Sequence, residues 1–162
     1  MGAPTAIRVA ALEGSDLRLT YGPTVAVDDA SLQFPAGQVT TIVGPNGCGK
    51  STVLQALARL LRPDVGSIVL DGRAIRDLSA RDLARRLALL PQGVQAPGEL
   101  TVRDLVGFGR YPHQSLLGRP STADREAVAW ALSVTGLDPL AARPVGALSG
   151  GERQRAWVAM AL

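Results

Sequence analysis

"GPNGCGKST", the stretch Gly44-Pro45-Asn46-Gly47-Cys48-Gly49-Lys50-Ser51-Thr52, decides the reading of this sequence. From Gly44 to Ser51 it fits the spacing G-x-x-x-x-G-K-[ST]. Successive backbone N–H groups wrap an anion only where the backbone comes close and takes unusual dihedral angles, which glycines at 44, 47 and 49 permit. A helix N-terminus adds unpaired donors and a partial positive charge. Lys50 is then placed to reach the β- and γ-phosphates of ATP, and the Ser51 hydroxyl to ligate Mg2+. The flanks suit this. "VTTIV" (Val39–Val43) is short, β-branched and apolar, as a strand buried on both faces would be. A helix is predicted from about Lys50 to Leu61, with Leu54, Leu57, Ala58 and Leu61 on one face. A glycine-rich turn without a ligand is the plainer alternative, but strand–loop–helix is the context the motif demands. Cys48 reads as a small side chain that leaves the loop backbone unobstructed; a reactive thiol at the helix start is the other reading.

The composition supports the loop. Lys50 is the only lysine among 17 basic residues; the rest are arginine. A compact ammonium fits between phosphate oxygens where a planar guanidinium does not. Of 162 residues, 46% are hydrophobic and 19% charged, a globular balance with length for one domain. The net charge is +3, but the arginines are scattered among acids, as in "RDLSARDLARR". No clustered basic face is evident, so nucleic acid is not an expected partner. One cysteine excludes an intrachain disulfide and fits a reducing compartment. No apolar run approaches the roughly 18 residues of a membrane span, and the N-terminus has no signal-peptide pattern, so a soluble cytoplasmic protein is the default expectation.

Upstream of the loop, Asp16–Gly22 and Ala26–Phe34 read as strands. Downstream, Gly66–Gly72 and Leu87–Gln92 read as strands, the latter ended by Pro91. Ser79 with Asp82, Thr101 with Asp104, Ser121 with Asp124 and Ser149 with Glu152 have capping-box spacing. They predict helices over Ala80–Arg86, to about Phe108, up to a C′ glycine at Gly136, and to the chain end. "GVQAPGEL" and "GRYPHQSLLGRPS" read as loops, and His113 as a surface residue. The order implies an α/β domain with a helical insertion from about Thr101 to Ala142.

Taken together, four segments resemble ABC (ATP-binding cassette) ATPases. They are the phosphate loop, Gln92 after "LALLP", "LSGGERQR" (Leu148–Arg155) and Tyr21 in "LTYG". The resemblance runs from about Leu17 onward. It implies a P-loop NTPase core with an N-terminal antiparallel β subdomain and a helical subdomain. The expected division is 1–92 for the β-rich nucleotide-binding core, 93–147 for the helical subdomain and 148–162 for the signature helix. Tyr21 would be the aromatic platform under adenine. Gln92 would be the Q-loop glutamine that contacts Mg2+ and the attacking water. Ser149, Gly150, Gly151 and Glu152 would be the signature that faces ATP held by a second ATPase subunit in a head-to-tail homodimer. Read without the family, Ser149 with Glu152 is an ordinary capping box and Tyr21 a half-buried strand residue.

The family's next segments, a strand ending in Asp-Glu and a switch histidine, do not occur in these residues. The expectation is a fragment of a longer ATPase, lacking its C-terminal strands. Alone it would not hydrolyse ATP efficiently and would fold poorly or aggregate. "GRYPHQ" and the signature region are most similar to ATP-binding subunits of iron–siderophore, haem or cobalamin importers. That implies transmembrane permease subunits, docked through the block around Leu100–Tyr111. It also implies an indirect partnership with a periplasmic or extracellular substrate-binding protein, and a place on the cytoplasmic face of the membrane. A soluble ABC ATPase acting on ribosomes or DNA, and a non-catalytic nucleotide-binding regulator, are the competing classes.

Overall fold

The computed structural model describes residues 12–93, 99–114 and 119–162. The N-terminal residues and parts of the two long loops expected from the sequence lie outside them. The chain forms two compact units, one ending at Leu83 and the other beginning at Ala84. The division therefore falls before the segment 84–92, which was expected to belong to the first unit. Arg85 explains why: its Nε donates to the Pro112 carbonyl at 2.8 Å, tying this stretch to the helical unit.

The first unit is an antiparallel sheet with a helix on it. Its strands are β1 (Leu12–Tyr21), β2 (Thr24–Phe34), β3 (Val65–Leu70) and β4 (Arg73–Ala74), in the order β2-β1-β3-β4. Gly14 and Leu17 are both buried in β1 despite their odd spacing. A bulge reconciles them: the register shifts between these residues, and Asp16 sits at φ 52 with its N–H held by the Ser31 hydroxyl at 2.9 Å. Without that extra residue, alternation would send Leu17 to the solvent face. Helix α1 (Lys50–Leu57) packs against β1 and β2, burying Thr52, Val53, Ala56 and Leu57, while Leu17, Leu19, Ile68 and Leu70 are buried in the sheet.

Helix α1 stops a turn before the expected Leu61. Arg59 takes the left-handed conformation at φ 60, its N–H bonds the Ala56 carbonyl, and the Leu60 N–H bonds the Gln55 carbonyl. This is a Schellman termination with arginine where glycine is usual. The guanidinium offsets the strain by donating to the carbonyls of Ile75 at 2.9 Å and Leu78 at 2.6 Å. The buried face is shifted as well, and Leu54, expected inside, is 43% exposed.

Two expected strands are absent from the described residues. Val39–Val43 has no strand assignment, and Val39 and Val43 are 96% and 84% exposed. Leu87–Gln92 is likewise irregular, with Leu90 exposed. Both have strand-like composition, but a strand needs a neighbour to take its hydrogen bonds, and the sheet described here extends to neither.

The second unit is helical. After the short α2 (Ala80–Ala84), which begins in the first unit and ends before the expected Arg86, come α3 (Val102–Phe108), α4 (Thr122–Val134) and α5 (Gly150–Ala161). Their buried faces share one core that includes Val102, Leu105, Leu132, Leu137, Val145 and Ala156. Residues 100–103 are bonded to 141–145 through Val102 N–H to Arg143, Arg103 N–H to Ala141 and Val145 N–H to Leu100. Gly109 lets α3 meet α5, since a Cβ there would run into the Met160 carbonyl. Asp124, 5% exposed, receives the Ser121 N–H and hydroxyl and the Arg110 Nε at 3.1 Å. These bonds, those from Ser121 foremost, lower its pKa from 3.8 to about 2.

Candidate functional site

Helix α1 differs from the other helices at its N-terminus. Ser79, Thr101, Ser121 and Ser149 each accept the N–H three residues on, and an acid follows in each first turn. At α1 the cap is Gly49, with no side-chain hydrogen bond and no acid in the first turn. Its first N–H groups are thus left without a side-chain partner and without a competing negative charge, which is the electrostatic requirement for an anion.

The loop ahead of α1 holds that end open. Gly49 has φ 89, and a Cβ there would lie 2.6 Å from Val27 Cγ2 and 2.7 Å from the Ala26 carbonyl oxygen. Strand β2 therefore backs the loop so closely that only glycine fits. Lys50 folds over it. Its Nζ donates to the carbonyls of Gly44 at 2.9 Å and Pro45 at 2.6 Å and lies 3.6 Å from Cys48 Sγ. The ammonium is fixed by the loop's own acceptors. The Cys48 thiol is exposed, and its Sγ lies where a Cβ on Gly44 would approach within 2.7 Å. Ser51 is exposed and Thr52 buried, so the serine hydroxyl is the accessible one.

Tyr21 belongs to the same unit. It is 48% exposed at the end of β1, and its hydroxyl donates to Gln55 Oε1 on α1 at 2.9 Å. The structure thus ties Tyr21 to the helix that the loop Gly44–Thr52 opens. Nothing in the sequence marks Gln55, which stands one helical turn after Ser51 and on the same face.

Gln92 and the signature residues lie in the helical unit. Gln92 is exposed in a turn and lines a cavity of about 530 Å³ with Pro91, Gly150, Arg153, Gln154 and Trp157. Ser149 and Glu152 form the capping box, with Glu152 Oε2 accepting the Ser149 N–H at 2.7 Å. The Ser149 hydroxyl and N–H, aided by Arg143 and Arg155, hold the Glu152 carboxyl below the usual carboxylate range. This end of α5 thus carries its own anion, in contrast to α1.

Among the described residues no group of three or more His, Cys, Asp or Glu could hold a metal ion, and no helix is long and apolar enough to cross a membrane. The exposed Ser51 hydroxyl is an oxygen donor of the loop that could serve a divalent cation carried in with phosphate.

The family model described as "ABC transporter" matches residues 27–162. The chain is 48% identical over 151 residues to the iron(3+)-hydroxamate import ATP-binding protein FhuC of Bacillus subtilis (strain 168), covering 93% of this chain and 56% of that protein. It is 47% identical over 154 residues to the ferric enterobactin transport ATP-binding protein FepC of Escherichia coli (strain K12), covering 95% and 57%. Among solved structures, a nucleotide-free ATP-binding cassette from an ABC transporter matches with a TM-score of 0.78 at 26% identity, over 95% of this chain and 65% of that one. A bacterial Atm1-family ABC exporter with ATP bound matches with a TM-score of 0.75 at 25% identity, over 98% and 29%. The chain thus spans a little over half the length of the curated relatives it matches.

Proposed function

Since the chain belongs to the ABC transporter family of ATP-binding domains, we propose that it carries the ATP-phosphate site of an importer's energy-coupling ATPase, with ferric siderophores as the cargo class. One observation carries the nucleotide part: α1 is uncapped and free of first-turn acids, and Lys50 is gathered over its mouth by the loop carbonyls. The backbone N–H groups of Gly47 through Ser51 would wrap the β-phosphate. The Lys50 ammonium would neutralise charge on the β- and γ-oxygens, and Tyr21 would stack on the adenine. Ser51 would hold Mg2+, which would supply positive charge against the phosphates during phosphoryl transfer. Gln92, in the other unit, would be the Q-loop glutamine that contacts Mg2+ and the attacking water.

The cargo assignment is supported by likeness to proteins named for hydroxamate and enterobactin import. Permease subunits, a second ATPase subunit facing the signature Ser149–Glu152, and a substrate-binding protein complete the proposed assembly, on the cytoplasmic face of the membrane. The test is uptake of radiolabelled ferric siderophores in a strain deleted for the gene. Restoration by the wild-type gene and failure of the Lys50→Ala gene support the proposal. Normal uptake in the deletion strain, with any related ATPase genes also removed, refutes the cargo.

A further inference from the structure

The hydrogen bond from Tyr21 to Gln55 joins two parts of the site that sequence keeps apart. Tyr21 ends β1, paired with Thr24 across the Gly22-Pro23 turn, and its ring is half exposed. A ring in that position, anchored only by its backbone, turns about both side-chain torsions. The bond from its hydroxyl to Gln55 Oε1 at 2.9 Å fixes the far end. Gln55 stands one turn along α1 from Ser51, on the helix whose first turn offers the phosphate donors.

We propose that Gln55 is a positioning residue for the nucleotide base, holding the Tyr21 ring edge-fixed and face-open so that the base stacks on a surface already ordered. This rests on the reading of Tyr21 as the adenine platform. The residue type matters. A phenol donates here, so the helix must supply an acceptor; an amide oxygen does so without placing a negative charge near the phosphates. Ordering the ring beforehand removes part of the entropic cost of binding, and one exposed neutral hydrogen bond is worth about three- to tenfold in affinity. A bond that merely staples the hairpin to α1 would affect folding without distinguishing a ligand that has a base from one that has none.

The experiment compares ATP with inorganic tripolyphosphate, which keeps the charge and lacks the base, both titrated in Mg2+ into the chain by calorimetry. Gln55→Leu and Tyr21→Phe should each weaken ATP about three- to tenfold and leave tripolyphosphate within about twofold. The double variant should be no worse than either alone, and Gln55→Glu, which keeps an acceptor, should restore most of the ratio. A Gln55→Leu ratio equal to wild type overturns the proposal, whether both ligands weaken together or neither does. Tyr21→Ala separates the two readings. If it lowers the ratio and Gln55→Leu does not, the tie is wrong and the platform stands. If Tyr21→Ala leaves the ratio unchanged, platform and tie both fall.

Discussion

Replacing Gly49 by alanine should damage the phosphate loop more than replacing Gly47, although both residues have positive φ. Gly47 has φ 83 and open space where a Cβ would go. Alanine there bears the left-handed strain alone, about 1–2 kcal/mol. Gly49 has φ 89, and its Cβ would lie 2.6 Å from Val27 Cγ2 and 2.7 Å from the Ala26 carbonyl oxygen. Those approaches are far inside van der Waals contact, and relieving them adds about 1–3 kcal/mol of overpacking. The expected total for Gly49→Ala is about 2–5 kcal/mol, divided between chain stability and ATP affinity. Urea midpoints and calorimetric titration with ATP measure the two parts. Gly47→Ala should lose about tenfold in combined free-energy terms, and Gly49→Ala at least another factor of about five. Adding Val27→Ala should recover part of the Gly49→Ala loss, because Cγ2 is removed while the Ala26 carbonyl stays. If Gly49→Ala proves as mild as Gly47→Ala, the picture of β2 backing the loop is wrong.

Other substitutions probe the frame around the site. Arg59→Ala keeps the left-handed strain and loses the bonds to Ile75 and Leu78, so it should cost about 2 kcal/mol in denaturant unfolding. Arg59→Gly loses the same bonds but sheds the strain, and should cost about 1 kcal/mol less than alanine; the reverse order would refute the Schellman reading. The depressed pKa of Asp124, about 2 against an ordinary 3.8, gives a stability contribution that is complete above the ordinary value. That contribution fades as pH falls through about 4 towards 2, and Asp124→Asn should flatten this acid limb when melting temperature is followed against pH.

What the sequence disclosed was what is local. The capping boxes at Thr101, Ser121 and Ser149 each depend on residues three apart, and all three form as read. The phosphate loop opens its helix at Lys50 for the same reason. Segments whose state depends on distant partners were not legible. Val39–Val43 and Leu87–Gln92 have the composition of buried strands, yet the sheet described here does not reach them. The early end of α1 at Leu57 was hidden because its left-handed residue is Arg59, which a glycine-based rule passes over. The bulge at Asp16 left no mark beyond two core residues at odd spacing. In the proposed site, residue types pointed to the loop and Tyr21. Gln55 was missed because an exposed glutamine on a helix says nothing until the hydroxyl it accepts from is known.

The most direct measurement is Mg-ATP binding to the 162-residue chain beside Lys50→Ala and Lys50→Arg. Lys50 is held at the loop ahead of α1 by the carbonyls of Gly44 and Pro45, where, on the proposed function, its charge would meet incoming phosphates. The wild-type chain should bind, and both variants should lose about tenfold to a hundredfold in affinity, arginine included, because a planar fork cannot occupy the ammonium's place. Undiminished binding by Lys50→Ala would show that the loop is not the phosphate site.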